Sequence, residues 1–348
     1  MSNQPLLAGV DPAAVAALRE RLLTWYAEHR RDLPWRRTRD PYALVTVELM
    51  SQQTGVERIA PRWLRFVERF PSWQAVASAS VGDVIREWQG LGYNRRAVSL
   101  HRMATAVVER FGGELPTDRR ALLELPGVGP YTADAILSFV HGQDVPAIDV
   151  NLRRVIGRVA FGHGRASDSD LLAVARAALP RGQSADWNQA LMDFASLQCT
   201  LRRPAHLFCP LLDVCRFARS EPTADRSPAA APPEIQLADA AEAPSGPGAL
   251  SRAPSGPGAL TAERRPARRV AERKAPFVGS TRYLRGRIVE ALRRLRGGQT
   301  VTLGELRATV AADGVAAVAD PAELVADLVR DGLVHEHEVD GEARFSLP

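Results

Sequence analysis

The stretch Leu125–Arg154, LPGVGPYTADAILSFVHGQDVPAIDVNLRR, constrains this chain more than any other. Leu125-Pro-Gly127-Val-Gly129 is a two-glycine turn that runs straight into a helical pattern from Pro130 to about Val140. Glycine tolerates φ > 0 and lets a backbone come close to a ligand. Pro130 suits a first helical position, because the N–H it lacks would be unpaired there. The start of such a helix offers free N–H groups and partial positive charge, which suits a phosphate. Further on, Asp149 is the only charge in the run VPAIDVNL, and Asn151 and Arg154 follow it. The turn alone is equally well read as a plain helix–turn–helix connection. Its combination with Asp149 is what makes it specific.

A chain of 348 residues has room for two or three domains. Charged residues make up 24% and apolar ones 45%, which places it among globular rather than disordered proteins. No apolar run reaches the length of a membrane span, and MSNQPLLAGVDP lacks a basic-then-apolar signal pattern, so a cytoplasmic protein without a membrane partner is expected. A net charge of +5 is weak support for a nucleic-acid partner. Every basic residue except Lys274 is arginine, so residues 1–273 hold no amine side chain able to form a Schiff base.

Taken in order, Asp11 is placed to cap a helix reaching about His29. Arg30, Arg31, Arg36, Arg37 and Arg39 then surround Trp35, an aromatic in a basic loop; a solvated loop with one packed Trp explains them as well. From Pro41 a helical pattern carries Glu48 among Val45, Val47, Leu49 and Met50. A carboxylate beside an apolar stripe is costly unless it is paired or faces a cavity. Residues 62–112 read as two or three short helices and include Trp88-Gln-Gly-Leu-Gly-Tyr93-Asn-Arg-Arg96. Helices continue through Leu171–Leu179 and Trp187–Gln198, and the only three cysteines follow as Cys199-x6-His206-x2-Cys209-x5-Cys215. Cys3His is a known zinc set, and imidazole also ligates iron–sulfur iron.

From Arg219 to Ala275 Pro, Ala, Gly and charges dominate and APSGPGAL occurs twice, at 243–250 and 253–260. Such composition cannot bury enough apolar surface to order itself, so 219–275 is expected to be a disordered linker. Residues 276–348 read as three helices, Tyr283–Leu295, one starting at Val301, and Asp320–Asp331, followed by a hairpin around Asp340-Gly341. That order suggests a small winged-helix-like domain.

The hairpin LPGVGPYTA with Asp149, and PYALVTVELMSQQTGVERI with its Glu48 and Gln52-Gln53-Thr, together resemble the helix-hairpin-helix DNA glycosylases of the endonuclease III and MutY superfamily. Within it the match is to MutY-type adenine glycosylases, over about residues 12–218, in a short actinobacterial-like form. The resemblance implies a mainly α fold: a core of two helical lobes with an iron–sulfur loop at 199–215. It implies that Glu48 is the general acid, that Asp149 faces the sugar of a flipped nucleotide, and that Tyr131 and Asn151 position Asp149 and the sugar. Gln52, Gln53, Tyr93, Gly127, Gly129 and Arg154 would contact DNA, with Tyr93 wedging into the stack. Trp35, Arg36 and Asp193 would line the base pocket. The family's cluster loop is Cys-x6-Cys-x2-Cys-x5-Cys, so Cys199, His206, Cys209 and Cys215 would hold a [4Fe-4S] cluster with His206 in place of a cysteine. Relatives often have a second Tyr where Asn94 stands and Gly where Val150 stands. The Nudix-like tail by which MutY proteins sense 8-oxoguanine has no counterpart here.

Cleaving a purine N-glycosidic bond requires a proton on the leaving base and a carboxylate beside the developing oxocarbenium, hence two carboxyls in different environments. The expectation is a monomeric, monofunctional adenine glycosylase on mismatched duplex DNA, in the bacterial cytoplasm and nucleoid-associated. A thymine/uracil mismatch glycosylase and a non-catalytic damaged-DNA-binding protein are the alternatives. Tyr131 stands where lysine-dependent lyases carry lysine.

Overall fold

The computed structural model describes residues 9–164, 166–220, 277–296, 298–311 and 319–348. Helix α1 (Pro12–His29) starts where the Asp11 side chain accepts from Ala13 N at 2.9 Å. Asp40 caps α2 (Pro41–Ser51) in the same way. Next come α3 (Val56–Arg69), α4 (Trp73–Ser78), α5 (Val81–Glu87) and α6 (Arg95–Phe111). Then follow α7 (Arg119–Leu123) and α8 (Pro130–Phe139). Over 62–112 the sequence led us to expect short helices only. Instead α6 runs 17 residues, because no glycine or proline interrupts it until Gly112 at φ 64° ends it.

Helices α2 to α8 close on one apolar core that includes Leu49, Phe66, Trp88 and Met103. The chain then builds α9 (Val150–Phe161), α10 (Asp168–Ala178), α11 (Ser184–Leu197) and α12 (Arg216–Ser220). These pack with α1 around Leu18, Leu22, Trp187 and Phe194 in a second core. Two helical lobes result, as expected, the second assembled from both ends of residues 12–220. The linker read at 219–275 lies, from residue 221 onward, outside the described residues.

The C-terminal elements are α13 (Thr281–Arg293), β1 (Val301–Thr302), α14 (Leu303–Ala311), α15 (Pro321–Arg330), β2 (His335–Val339) and β3 (Glu342–Ser346). The three strands are antiparallel in the order β1-β3-β2. Asp340 at φ 52° and Gly341 at φ 76° make the tight turn that Asp-Gly favours. Strand β1 escaped the sequence reading, since two residues carry no alternation; a helix had been expected to begin at Val301. Leu284, Ile288, Leu328 and Phe345 join the same apolar core as Trp88 and Met103. The last carbonyl, of Pro348, accepts from Gly82 N at 2.6 Å. A Cβ on Gly82 would lie 2.4 Å from that oxygen, so only glycine allows this docking onto α5. Among the described residues no helix is long and apolar enough to cross a membrane.

One buried side chain ties the first lobe together. Arg96, 8% exposed at the start of α6, donates through Nη1 to the carbonyls of Leu49, Met50 and Gln52 at 2.7–2.8 Å. Through Nη2 it reaches Thr54 Oγ1 and the carbonyls of Leu91 and Gly92 at 3.0–3.2 Å. Burial lowers its pKa to about 10, so it remains a cation at neutral pH. A cation among the last carbonyls of α2 satisfies acceptors that the helix leaves orphaned and complements its dipole. Arg96→Met would strand several of these acceptors in the core. We expect a loss of roughly 3 kcal/mol in urea unfolding, with Arg96→Lys recovering only part of it, because an ammonium cannot span both carbonyl sets.

Candidate active site

Glu48 is partly buried on α2, and its Oε2 accepts from Tyr131 Oη at 3.3 Å. Tyr131 is the second residue of α8, directly after the glycine turn. Burial pushes the Glu48 carboxyl up to about 7; the Tyr131 hydroxyl partly offsets this and the Asp149 charge adds to it. The Tyr131 phenol is raised well above its usual range by burial and by the Glu48 and Asp149 charges. Glu48 and Tyr131 come from the first lobe and Asp149 opens the second, so the three meet at the seam between the lobes.

Asp149 is the N-cap of α9. Its Oδ1 accepts from Asn151 N and Leu152 N, and its Oδ2 from Asn151 Nδ2, each at 2.8 Å. A helix N-terminus and three donors fix the orientation of this carboxylate. Val150 is the first residue of α9, 75% exposed and without positive φ. A β-branched residue is therefore unstrained there. The approach to Asp149 is pinned by Asn188, fully buried on α11, which holds Ala147 N at 3.0 Å and Val145 O at 2.9 Å. Sequence reading missed Asn188, which carries no pattern beyond being a polar residue on an apolar helix.

Of the two turn glycines only Gly127 needs to be glycine: it has φ 84°, and a Cβ there would lie 2.9 Å from Ser99 Cβ. Gly129 takes ordinary extended backbone, with open space where a Cβ would go. No side chain caps α8, so the first N–H groups beyond Pro130 stay available.

Among the described residues three that are not glycine have positive φ, and two of them are Gln53 at 59° and Tyr93 at 46°. The third, Asp340, belongs to the hairpin turn described above. Left-handed backbone in side-chain-bearing residues is held against its own cost, and such residues gather at working sites. Gln53 is exposed, whereas Gln52 donates weakly to Thr132 Oγ1 at 3.4 Å. Gly90 and Gly92, at φ 79° and 69°, turn the chain into Tyr93.

Several other side chains singled out from the sequence are committed internally. Asp193 is fully buried; Arg31 N and Nε and both Arg36 Nη atoms donate to its two oxygens at 2.7–3.0 Å. It clamps the loop after α1 onto α11 and has no free oxygen for a base edge, which corrects the base-pocket expectation for this residue. Arg36 is likewise engaged, and Trp35 packs edge-on against Trp63 at 6.0 Å. Arg154 donates to Asn151 Oδ1, Ala195 O and Cys199 O at 2.9–3.1 Å, linking Asp149's partner to the cysteine loop instead of pointing outward. Arg158, one turn further along α9, was missed: it donates to Cys199 Sγ at 3.3 Å and to Thr200 O at 2.7 Å, and stacks 4.5 Å from the Phe217 ring. Its signal was the i, i+4 spacing from Arg154.

Burial is the main influence on the thiols of the loop, with Cys199 and Cys215 adding to it at Cys209 and Cys199 adding to it at Cys215. Burial pushes Cys209 up to about 12 and raises Cys215. The buried His206 ring lies edge-on to Phe217 at 6.1 Å. Among the described residues no three or more His, Cys, Asp or Glu side chains are arranged around one point as metal ligands. The three cysteines are thus not gathered around one point in this arrangement, and the imidazole sits against an aromatic ring.

Residues 46–180 match the family model described as HhH-GPD superfamily base excision DNA repair protein. An adenine DNA glycosylase of Mycolicibacterium smegmatis is 40% identical over 199 residues, 56% of this chain and 68% of that protein. The chain belongs to the HhH-GPD superfamily of base excision DNA repair proteins. A thymine/uracil-DNA glycosylase of Pyrobaculum aerophilum is 36% identical over 227 residues, 62% of this chain and 97% of that one. The solved structure of a thermostable thymine-DNA glycosylase superposes with a TM-score of 0.57 at 28% identity, covering 60% of this chain and 97% of its own. The HhH-GPD segment contains Glu48, Tyr93, Tyr131 and Asp149, but neither the cysteine loop nor the C-terminal elements.

Holding Glu48 neutral has a thermodynamic signature. Its folded pKa of about 7 lies above the usual 4.5, so between those values the native state binds more protons than the unfolded chain. Stability contributed by this group therefore falls as pH rises through that window and levels off above about 7. Glu48→Gln should lack this slope and exceed the wild type by roughly 3 kcal/mol at pH 8, with little difference at pH 4.5. Parallel urea titrations at the two pH values measure it; identical profiles would mean that Glu48 is not held protonated.

Proposed function

We propose that the protein is a monofunctional DNA glycosylase that hydrolyses the N-glycosidic bond of adenine mispaired with 8-oxoguanine or guanine in duplex DNA. It acts as a monomer in base excision repair in the bacterial cytoplasm. The observation that carries the choice of adenine is Glu48, a carboxyl with a pKa of about 7 bonded to Tyr131 and set against a second carboxyl, Asp149. A purine leaves as an anion unless N7 is protonated, and an acid that keeps its proton at neutral pH is suited to supply it. Asp149, oriented by Asn151 and the start of α9, stabilises or captures the sugar as positive charge develops on C1′. Tyr131 positions Glu48, and it occupies the place from which an imine-forming lysine would act, so no lysine-dependent strand cleavage follows. The target nucleotide must first leave the stack. The Gly127–Gly129 turn with α8 holds the backbone, Gln52 and Gln53 probe around the extruded base, and Tyr93 fills the gap. Similarity to an adenine glycosylase supports this reading. Similarity to a thymine/uracil glycosylase makes thymine opposite guanine the alternative to exclude.

Single-turnover reactions on end-labelled duplexes, followed by alkali, decide between them. We expect alkali-dependent breaks at A opposite 8-oxoguanine and A opposite G, a loss of about 10³-fold or more in Asp149→Asn, and no breaks without alkali. The rate should fall as pH rises above about 7, where Glu48 loses its proton. Cleavage at T opposite G alone would move the protein to the thymine branch. Tight binding without any cleavage would leave a damage-binding protein.

For the loop 199–215 we propose that Cys199, Cys209, Cys215 and His206 hold a [4Fe-4S] cluster with a structural role. Three soft sulfur donors, Cys215 buried and Cys199 and Cys209 half-buried, together with a buried imidazole suit iron–sulfur chemistry, and the Arg158 guanidinium at Cys199 Sγ would offset its negative charge. The purified protein should carry roughly four iron and four sulfide per chain. Iron should be lost in Cys209→Ala and bound more firmly in His206→Cys. Stoichiometric zinc with no labile sulfide would overturn this assignment.

A further inference from the structure

The C-terminal elements reach the Tyr93 loop directly. Arg282, exposed in the first turn of α13, lays its guanidinium 3.9 Å from the centroid of the Tyr93 ring. Phe277 lies beside it, 5.4 Å from the same guanidinium; Phe277 is 58% exposed and its neighbour Val278 55%. Among the described residues Arg282 has no carboxylate partner. Nearby Arg285 pairs with Asp327 and Asp331, and Arg293 with Glu290. The placement is held from both sides: Arg293 donates to Asn94 Oδ1 at 2.8 Å and to Ile85 O at 3.1 Å, and Arg95 pairs with Asp331 at 3.5 Å. Asn94 is thereby an anchor for the C-terminal elements.

We infer that Phe277, Val278 and Arg282 extend the Tyr93 wedge and bind the DNA strand opposite the target nucleotide, so that the C-terminal domain is part of the duplex-binding surface. The inference rests on reading Tyr93 as the wedge. An exposed arginine without a carboxylate partner, seated over an aromatic ring, can stack on a base and donate to a phosphate at once. An exposed phenylalanine next to it offers a further stacking face for a base whose partner has been extruded. An apolar pair beside a single free cation thus matches the alternation of base and phosphate along one strand.

The test uses the full chain in an Asp149→Asn background, with fluorescent duplexes carrying A opposite 8-oxoguanine and a 2-aminopurine beside the opposite base. Arg282→Ala should weaken binding about tenfold, lower the slope of log affinity against log salt by about 1, and lose the 2-aminopurine response. Arg282→Lys should keep the salt slope but not that response. Arg282→Ala combined with Tyr93→Ala should lose less than the product of the single effects. Unchanged affinity and salt slope in Arg282→Ala, with an unchanged melting temperature, would overturn the inference. So would weaker binding at an unaltered salt slope, which would make Arg282 only a support for Tyr93. Cleavage by the wild type is read in parallel. If it fails while the Arg282 losses persist, the adenine reading falls and the DNA contact stands; if it succeeds while Arg282 has no effect, only the inference falls.

Discussion

The Arg96 guanidinium, buried between the end of α2 and the loop before Tyr93, is the contact on which the rest of the site depends. Its donors are shared between carbonyls at residues 49, 50 and 52 and carbonyls at 91 and 92. It therefore fixes, in one rigid fork, the helix that carries Glu48 and the loop that presents Tyr93. A planar guanidinium can do this where a flexible ammonium cannot, because its donors diverge at set angles. The positive φ of Gln53 and Tyr93, one at each end of this bracket, is strain that such bonding sustains.

The seam between the lobes places two carboxyls in unlike surroundings. Glu48 is short of water and has one phenolic donor, so its neutral form is favoured. Asp149 heads a helix and takes three N–H bonds. The two carboxyls thus differ in setting: burial governs Glu48, while hydrogen bonds and a helix N-terminus orient Asp149. The lines of support behind Asp149 run through Asn188 to α11 and through Asn151 and Arg154 to Cys199. A change in the cysteine loop would therefore reach the Asp149 carboxylate through Arg154 and Asn151.

Arginine is nearly the only basic residue here, and many of its copies serve architecture. Arg31 and Arg36 neutralise the fully buried Asp193, a pairing that costs desolvation but fixes one geometry. Arg154 and Arg158 close the loop after α11 by binding carbonyls. A modest net charge is thus further reduced in its reach toward DNA, and a free exposed cation such as Arg282 gains weight in consequence.

Much of this was legible in the sequence because it rests on local rules. Asp11 as a cap, Pro130 as a first helical residue and the Asp340-Gly341 turn follow from periodicity and turn chemistry over a few residues, and the two lobes were implied by the family resemblance. Glu48, Tyr131 and Asp149 stood out by motif and resemblance, and the structure brings them to one place. What the sequence could not disclose were partnerships across long separations: Arg96 with the end of α2, Asp193 with Arg31 and Arg36, Asn188 with the strand of chain before Asp149, and Arg282 with Tyr93. Whether an arginine meets a phosphate or a carbonyl depends on where distant segments come to rest, and residue type does not encode that. The sequence by itself determined the helices, their caps and the pair of carboxyls. The tertiary structure alone decided which charges face outward and which are consumed in holding those carboxyls in place, because burial and hydrogen-bond partners exist only once the chain has packed.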